Sequence, residues 1–470
     1  MEAAGRELRD AQELRAEQMR RTLADLPWNR FHTVMVLLFG LGWAMDAFEV
    51  TLIGNVLGAL RGRFHLGPYG MSVILGAWFV GLMFGAAGFG WLSDVLGRRR
   101  VFLGSLVLYG VATLATAFAP GLGALLALRF LAGLGVGAEY SAINAAIAEF
   151  VPSARRGRAA AIVLNFWPVG SLVAALISWL VLSALPPDLG WRVVFGFGGL
   201  IALSAAFLRR HMPESPRWLL TAERPGEAQA IVAGIAAGLV RLPPPEVAPV
   251  RRRIRREGRA FLRLVRLYPG RLALGCTLDF AEASGYYGLF AFLPIVVLPA
   301  LHLPPARLPL FYLAGGGGAL LGGFAVSFLL DRIGRARTVA GFYLATALAT
   351  LAFAYATRYG AGAIMAGFAI VNLLATGSWI AAYPTFSELF PTSLRATGVG
   401  VSVAVGRLGA VAAPFLVGWV GARSMAGALV LLALFWLLGA AAMTVWARRG
   451  GIEGRGLALE AIAAEEPAGA

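Results

Sequence analysis

Lysine is missing from this chain: all 41 basic residues among its 470 are arginines, set against 25 acidic ones. Cysteine is nearly missing as well. One cysteine, Cys276, cannot close an internal disulfide or supply a thiol pair for a metal, and the four histidines are scattered, so neither a metal nor a cofactor is expected. The chain has no zinc pair, no nucleophile with a histidine nearby and no phosphate-cradling Gly-Lys-Ser/Thr loop, which excludes an ATP-driven pump and leaves little support for an enzyme. Gly133-Leu-Gly-Val-Gly is only a partial likeness to a nucleotide loop, since it lies within an apolar run and follows no strand. Charge is scarce too: 14% of residues are charged and 59% hydrophobic, with a mean hydropathy of +0.73, outside the range of a soluble chain of this length.

What the chain has instead is long apolar runs. A hydrocarbon core takes roughly 20 apolar residues per helix, and about twelve such runs begin near Thr33, Tyr69, Val101, Gly121, Arg158, Trp191, Leu272, Leu308, Val339, Ala361, Gly398 and Ala426. The pattern predicts an all-α, polytopic membrane protein. The polar segment before the first run carries no small-residue cleavage site, so that run is expected to be an uncleaved span.

The net charge of +16 is placed in a way that argues against nucleic acid as a partner. Arginines crowd the N-terminal segment, Arg98 to Arg100, Arg155 to Arg158, Arg209 to Arg271, Arg332 to Arg337, and Arg448 to Arg455. If the spans alternate, all of these lie on one side, and the positive-inside rule then puts both termini in the cytoplasm. The expected organisation is a cytoplasmic N-terminal segment (1–30), a six-helix bundle (31–208), a basic cytoplasmic linker (209–270), a second six-helix bundle (271–447) and a cytoplasmic tail (448–470). Within the linker, Leu242-Pro-Pro-Pro followed by Arg251, Arg252, Arg253, Arg255 and Arg256 reads as a solvated connector.

The two halves repeat each other. Asp94, Gly97 and Arg98 match Asp331, Gly334 and Arg335 in register, and Glu149, Pro152 and Arg156 match Glu388, Pro391 and Arg395. A duplicated unit implies a pseudo-symmetric pair of bundles with a substrate site between them near mid-membrane.

Gly90-Trp-Leu-Ser-Asp-Val-Leu-Gly-Arg-Arg-Arg between the second and third runs resembles the signature loop of the major facilitator superfamily. Arg129-Phe-Leu-Ala-Gly-Leu-Gly-Val-Gly resembles its fourth-span motif, and Pro213-Glu-Ser-Pro-Arg-Trp-Leu-Leu is similar to that of its sugar-porter-like and organic-ion members. Trp43-Ala-Met-Asp-Ala-Phe-Glu, Gly137-Ala-Glu-Tyr and Gly406-Arg-Leu-Gly-Ala-Val-Ala-Ala-Pro resemble bacterial niacin, aromatic-acid and other metabolite proton symporters. Span seven keeps a Tyr-Tyr-Gly but lacks the paired glutamines usual in sugar carriers. The resemblance implies a functional monomer in the bacterial inner membrane that moves a small molecule by alternating access, coupled to protons.

Opposite charges at the arginine-rich end can clamp one face shut and release it. Asp94, Arg98, Glu149 and Arg156 would form this network in the first half, and Asp331, Arg335, Glu388 and Arg395 in the second. Within the spans, an ionisable side chain at mid-bilayer costs roughly 2.5 to 3.5 kcal/mol and so implies a partner or a task. Seven qualify: Asp46, Glu49, Arg129, Glu139, Asp279, Glu282 and Arg407. The family resemblance pairs Asp46 with Arg129 and makes Asp46 the expected proton carrier. Glu49 lies one turn from Asp46 and could titrate with it, while Glu139 lies about 15 Å along the helix from Arg129, at 1.5 Å per residue, and could carry a second proton or meet substrate.

The planar donors of Arg407 suit a carboxylate, and Tyr286, Tyr287, Asn372 and Trp379 are the expected substrate neighbours because spans seven and ten line the cavity in the resembling family. Gly81, Gly85 and Gly315 to Gly318 are read as packing positions. The expected function is proton-coupled symport of a small organic anion, an aromatic or other carboxylate metabolite. The alternatives are a proton-coupled sugar transporter, proton-driven efflux of organic cations or drugs, and, as a poor third class, a non-transporting receptor.

Overall fold

A computed structural model describes residues 22–23, 25–96, 98–152, 155–209, 212–221, 224–240, 258–390 and 394–450 of the chain. Asp94, Glu149, Arg156, Asp331, Glu388 and Arg395, like Arg98, have side chains outside the described part, as do the Pro-Pro-Pro and arginine run of the expected linker.

The described residues form helices joined by turns, with no strand among them. In chain order the spans are Arg30–Phe64, Pro68–Leu96, Arg98–Thr116 and Leu122–Phe150, then a broken helix of Arg156–Leu164 and Phe166–Ala184, then Pro187–Arg209. The second set runs from Pro269–Ala300 through Leu308–Ile333, Arg335–Ala356, Ala361–Leu389 and Arg395–Gly421 to Met425–Arg448. These are spans 1 to 12 below. Ten stretches among the described residues are long and apolar enough to cross a membrane. Span 3 opens on three arginines, and the motif-bearing part of span 4 is only partly described.

Each half packs mainly on itself, and the two close-packed glycine seams occupy corresponding places. A Cβ on Gly81 or Gly85 of span 2 would sit 2.1 and 2.0 Å from the Phe130 and Leu134 carbonyl oxygens of span 4. One on Gly318 or Gly322 of span 8 would sit 2.1 and 1.9 Å from the Ala369 and Leu373 oxygens of span 10. Backbones this close exclude any side chain, which is how small residues join helices where lipid removes the hydrophobic driving force. Of the four glycines expected to pack in span 8, Gly318 meets backbone, Gly315 the Phe368 ring and Gly316 Leu172, while Gly317 faces open space.

Proline breaks the helices where the site is built. Pro294 has no N–H to give the carbonyl four residues back, and the chain widens into a π turn over Leu293–Val297. The Phe290 carbonyl so released accepts the Tyr312 hydroxyl of span 8 at 2.8 Å. Span 5 breaks just before Pro168, at Asn165, so Trp167 stands in the first turn of the new segment.

The region between the halves carries helices at Pro216–Thr221, Pro225–Ala236 and Gly258–Leu267. It is anchored rather than free at its first part. Asn29 caps span 1 and also donates its Nδ2 to the Ile235 carbonyl at 2.7 Å, tying the second of these helices to the start of the bundle. In the Pro-Glu-Ser-Pro-Arg motif, Glu214 accepts the backbone N–H of Arg99 at 3.2 Å, so a carboxylate sits at the positive end of span 3. Ser215 then accepts the Trp218 N–H at 3.0 Å and starts its own helix.

Candidate functional site

A small central pocket lies where the halves meet. Span 5 contributes Trp167, span 10 contributes Trp379 and Tyr383, and span 7 contributes Glu282, Tyr286 and Tyr287. Arg407 of span 11 completes the lining. Of the five expected substrate residues, four therefore converge here. Asn372 does not: it lies two turns earlier on span 10 and returns its amide to the Phe368 carbonyl of its own helix at 2.9 Å. Asn372 thus lies away from this pocket, since a shared helix face does not imply a shared depth.

The walls are aromatic and cross between the halves. Trp43 of span 1 stacks on Trp379, with ring centroids 6.1 Å apart and planes 12° from parallel. Trp167 leans on both, its centroid 6.1 Å from Trp43 and 5.8 Å from Trp379. Its indole N–H donates to the Tyr286 hydroxyl at 2.9 Å, and the Phe79 ring meets Tyr287 edge-on at 4.6 Å. Arg407 donates through Nη1 to the Tyr287 hydroxyl at 3.4 Å, which aims the guanidinium along the aromatic wall. Gly406 makes this possible from behind: a Cβ there would fall 1.7 Å from an Asp279 oxygen, so the Asp279 carboxylate packs directly on the backbone beside Arg407. Beyond this cavity, at the end opposite the arginine loops, spans 1 and 7 close together, Gly54 against Phe290 and Gly58 against Leu298.

The first half carries a second group of buried charges. Arg129 donates to Glu49 at 2.6 Å and to the Thr116 hydroxyl at 2.6 Å; Thr113 donates to the same Glu49 oxygen at 2.8 Å, and the guanidinium lies 4.4 Å from the centre of the Phe195 ring. This corrects the expected Asp46 to Arg129 pair. Asp46 and Glu49 are one turn apart on the same helix, and the register of span 1 against spans 3 and 4 delivers Glu49 to the arginine.

Asp46 lies instead beside Glu139, which is bonded to Arg209 of span 6. Arg209 also donates to the Leu38 carbonyl at 2.7 Å and is fully buried. Gly42 is the seat of this pair, since a Cβ there would fall 1.5 Å from Arg209 Nη2. Asp46 itself is fully buried, with the Glu139 carboxyl as its neighbour and no cation bonded to it among the described residues.

Two candidates were not singled out in the sequence. Arg209 reads there as the first arginine of a basic linker; the sign of its burial is its place at the end of an unbroken apolar helix. Trp43 signals only as an aromatic within a span, whereas Trp167 is among the aromatics that the sequence offers for stacking on a ring. Among the described residues no group of histidine, cysteine and acid side chains could hold a metal. Of the charge network at the arginine-rich end, only Arg335 is described; it is half-buried at the start of span 9.

The sequence profile of the Major Facilitator Superfamily matches residues 34–414. A niacin transporter of Acinetobacter baylyi is 32% identical over 402 residues, covering 84% of this chain and 88% of that one. A 3-(3-hydroxy-phenyl)propionate transporter of Escherichia coli is 29% identical over 375 residues, covering 80% and 83%. Among solved structures, the partially occluded inward-open xylose transporter of E. coli superimposes with a TM-score of 0.71 at 19% identity, covering 91% of this chain and 99% of that chain, a likeness of fold.

Proposed function

The chain belongs to the major facilitator superfamily, a transporter and not an enzyme, and we propose that it is a proton-coupled symporter of a small aromatic carboxylate. The observation that carries this reading is Arg407 set in a wall of indole and phenol rings. A guanidinium offers paired donors to a carboxylate, and flat rings on both sides suit an aromatic body. Relatives named for niacin and for hydroxyphenylpropionate support that chemistry.

Proton coupling rests on Asp46. A carboxyl buried in a membrane protein beside a second acid, with no cation bonded to it, costs roughly 2.5 to 3.5 kcal/mol as a charge, and a proton removes that cost. When the cavity opens to water the same carboxyl is solvated, so loading and release follow the conformational cycle. Glu139 and Arg209 set the field in which Asp46 works, and Glu49 with Arg129 forms a fixed pair behind it. One proton carried inward with a monoanion transfers no net charge, so accumulation follows the pH gradient, about tenfold per unit. In this reading the arginine loops and both termini face the cytoplasm of a bacterial cell, and one chain is the working unit.

The testing experiment is uptake of nicotinate and benzoate into proteoliposomes with an imposed inward proton gradient. Accumulation that Asp46→Asn uncouples from the gradient and Arg407→Ala abolishes is the expected result. No accumulation of either acid, with xylose or a lipophilic cation moving instead, rejects the anion reading.

A further inference from the structure

The buried charges within the described spans do not balance. Asp46, Glu49 and Glu139 face Arg129 and Arg209 in the first half, and Asp279 and Glu282 face Arg407 in the second. Among the described buried side chains of the spans, each half therefore holds one carboxyl more than it has guanidiniums. In the first half the surplus is Asp46. In the second, Asp279 sits against the backbone at Gly406 beside Arg407, and Glu282, one turn on, turns into the central cavity. Glu282 is only 6% exposed, and among the described residues no hydrogen bond or ion pair reaches its carboxyl.

We propose that Glu282 is a second proton-binding site, one that loads together with the substrate in the central cavity and is separate from the site at Asp46. This rests on the symport reading above and adds to it a place and a number. The groups around Glu282 are Asp279, Tyr286 and Tyr287 on its own helix, Arg407 on span 11, Tyr383 on span 10 and Tyr343 on span 9. Arg407 is the single cation among them, and Asp279 already shares it. An anion that settles on Arg407 takes up that positive charge and brings a second negative one into a cavity of low dielectric. A charged Glu282 opposes the anion; a proton on Glu282 removes the repulsion and leaves an O–H that can donate to the ligand. Anion and proton thus favour each other's binding by linkage. No covalent bond changes except the O–H formed on one side of the membrane and broken on the other.

Two measurements on the full chain in vesicles test this. The first is substrate-free: infrared difference spectra across a pH titration, reading the C=O stretch that a protonated carboxyl has and a carboxylate lacks. Glu282→Gln is expected to remove one such signal, and Glu282→Asp to keep it at a shifted pH. The second reads coupling, with nicotinate as the probe. At zero membrane potential a one-unit inward pH gradient supports about 100-fold accumulation with two protons and about tenfold with one. Wild type is expected at the higher value and Glu282→Gln, which imitates the protonated acid, at the lower. An infrared signal unchanged in Glu282→Gln, or the same accumulation ratio in both proteins, overturns the proposal. Loss of nicotinate binding at every pH in Glu282→Gln also overturns it and makes Glu282 a ligand for a cationic group. If wild type fails to accumulate nicotinate, the symport reading fails, while the infrared result still decides whether Glu282 takes a proton.

Discussion

The two halves of this transporter bury charge in opposite ways. In the first half the arginines are consumed by pairs inside the bundle: Arg129 with Glu49 and Thr116, Arg209 with Glu139 and a backbone carbonyl. In the second half Arg407, with Glu282, lines the cavity between the bundles. The same kind of six-helix unit therefore places its guanidiniums differently: one half keeps them paired inside its own bundle, and the other turns one toward the pocket between the bundles.

That contrast can be broken most severely at Arg129. Removing one partner of a buried pair leaves an uncompensated charge, a loss of about 3 to 5 kcal/mol. Arg129→Ala should lower thermal stability in detergent by that amount, and adding Glu49→Gln should recover most of it. A double variant no more stable than the single would show that the pair is not what Arg129 supports.

Arg407 should behave differently, as a ligand group. Losing hydrogen bonds to a charged partner costs about 1.5 to 3 kcal/mol, so Arg407→Ala should weaken nicotinate binding tenfold or more by calorimetry while its melting temperature falls less than that of Arg129→Ala. Equal losses of stability in both variants would erase the distinction between the halves.

Gly42→Ala sharpens the comparison from the other side. The new methyl collides with the Arg209 guanidinium, and overpacking of this kind costs typically about 1 to 3 kcal/mol. The expected phenotype is an altered pH dependence of uptake with little change in nicotinate affinity. An affinity change that matches that of Arg407→Ala would place Arg209 at the substrate site.

The smallest effect is expected at the tryptophan stack. An aromatic pair contributes about 0.5 to 1.5 kcal/mol beyond its buried area. Trp379→Leu should therefore weaken nicotinate binding several-fold and an aliphatic acid such as propionate hardly at all. An equal loss for both acids would remove the ring from the recognition argument.

Much of the fold was legible in the residues because a bilayer imposes a length and a polarity on every span. The glycines of spans 2 and 8 declared close packing for the same reason: in lipid, small residues are how helices approach. Four of the five residues expected near substrate line one pocket, Arg407, Tyr286, Tyr287 and Trp379. Asn372 shares a face with Trp379 but lies two turns away, and depth along a helix is read only against its neighbours. Arg209 was hidden by its position at the border of a basic segment, where charge normally marks topology.

By itself, then, the sequence determined a membrane chain of about twelve helices, its internal duplication, and which residue types would sit where they cost most. Those follow from hydropathy and spacing, which are local. Only the tertiary structure decided that Arg129 takes Glu49 and leaves Asp46 to Glu139, that Arg209 turns inward, and that Trp43, Trp167 and Trp379 meet across the halves. Each of those contacts depends on the register of one helix against another, and a side chain one turn away on the same face is an equal candidate until that register is set.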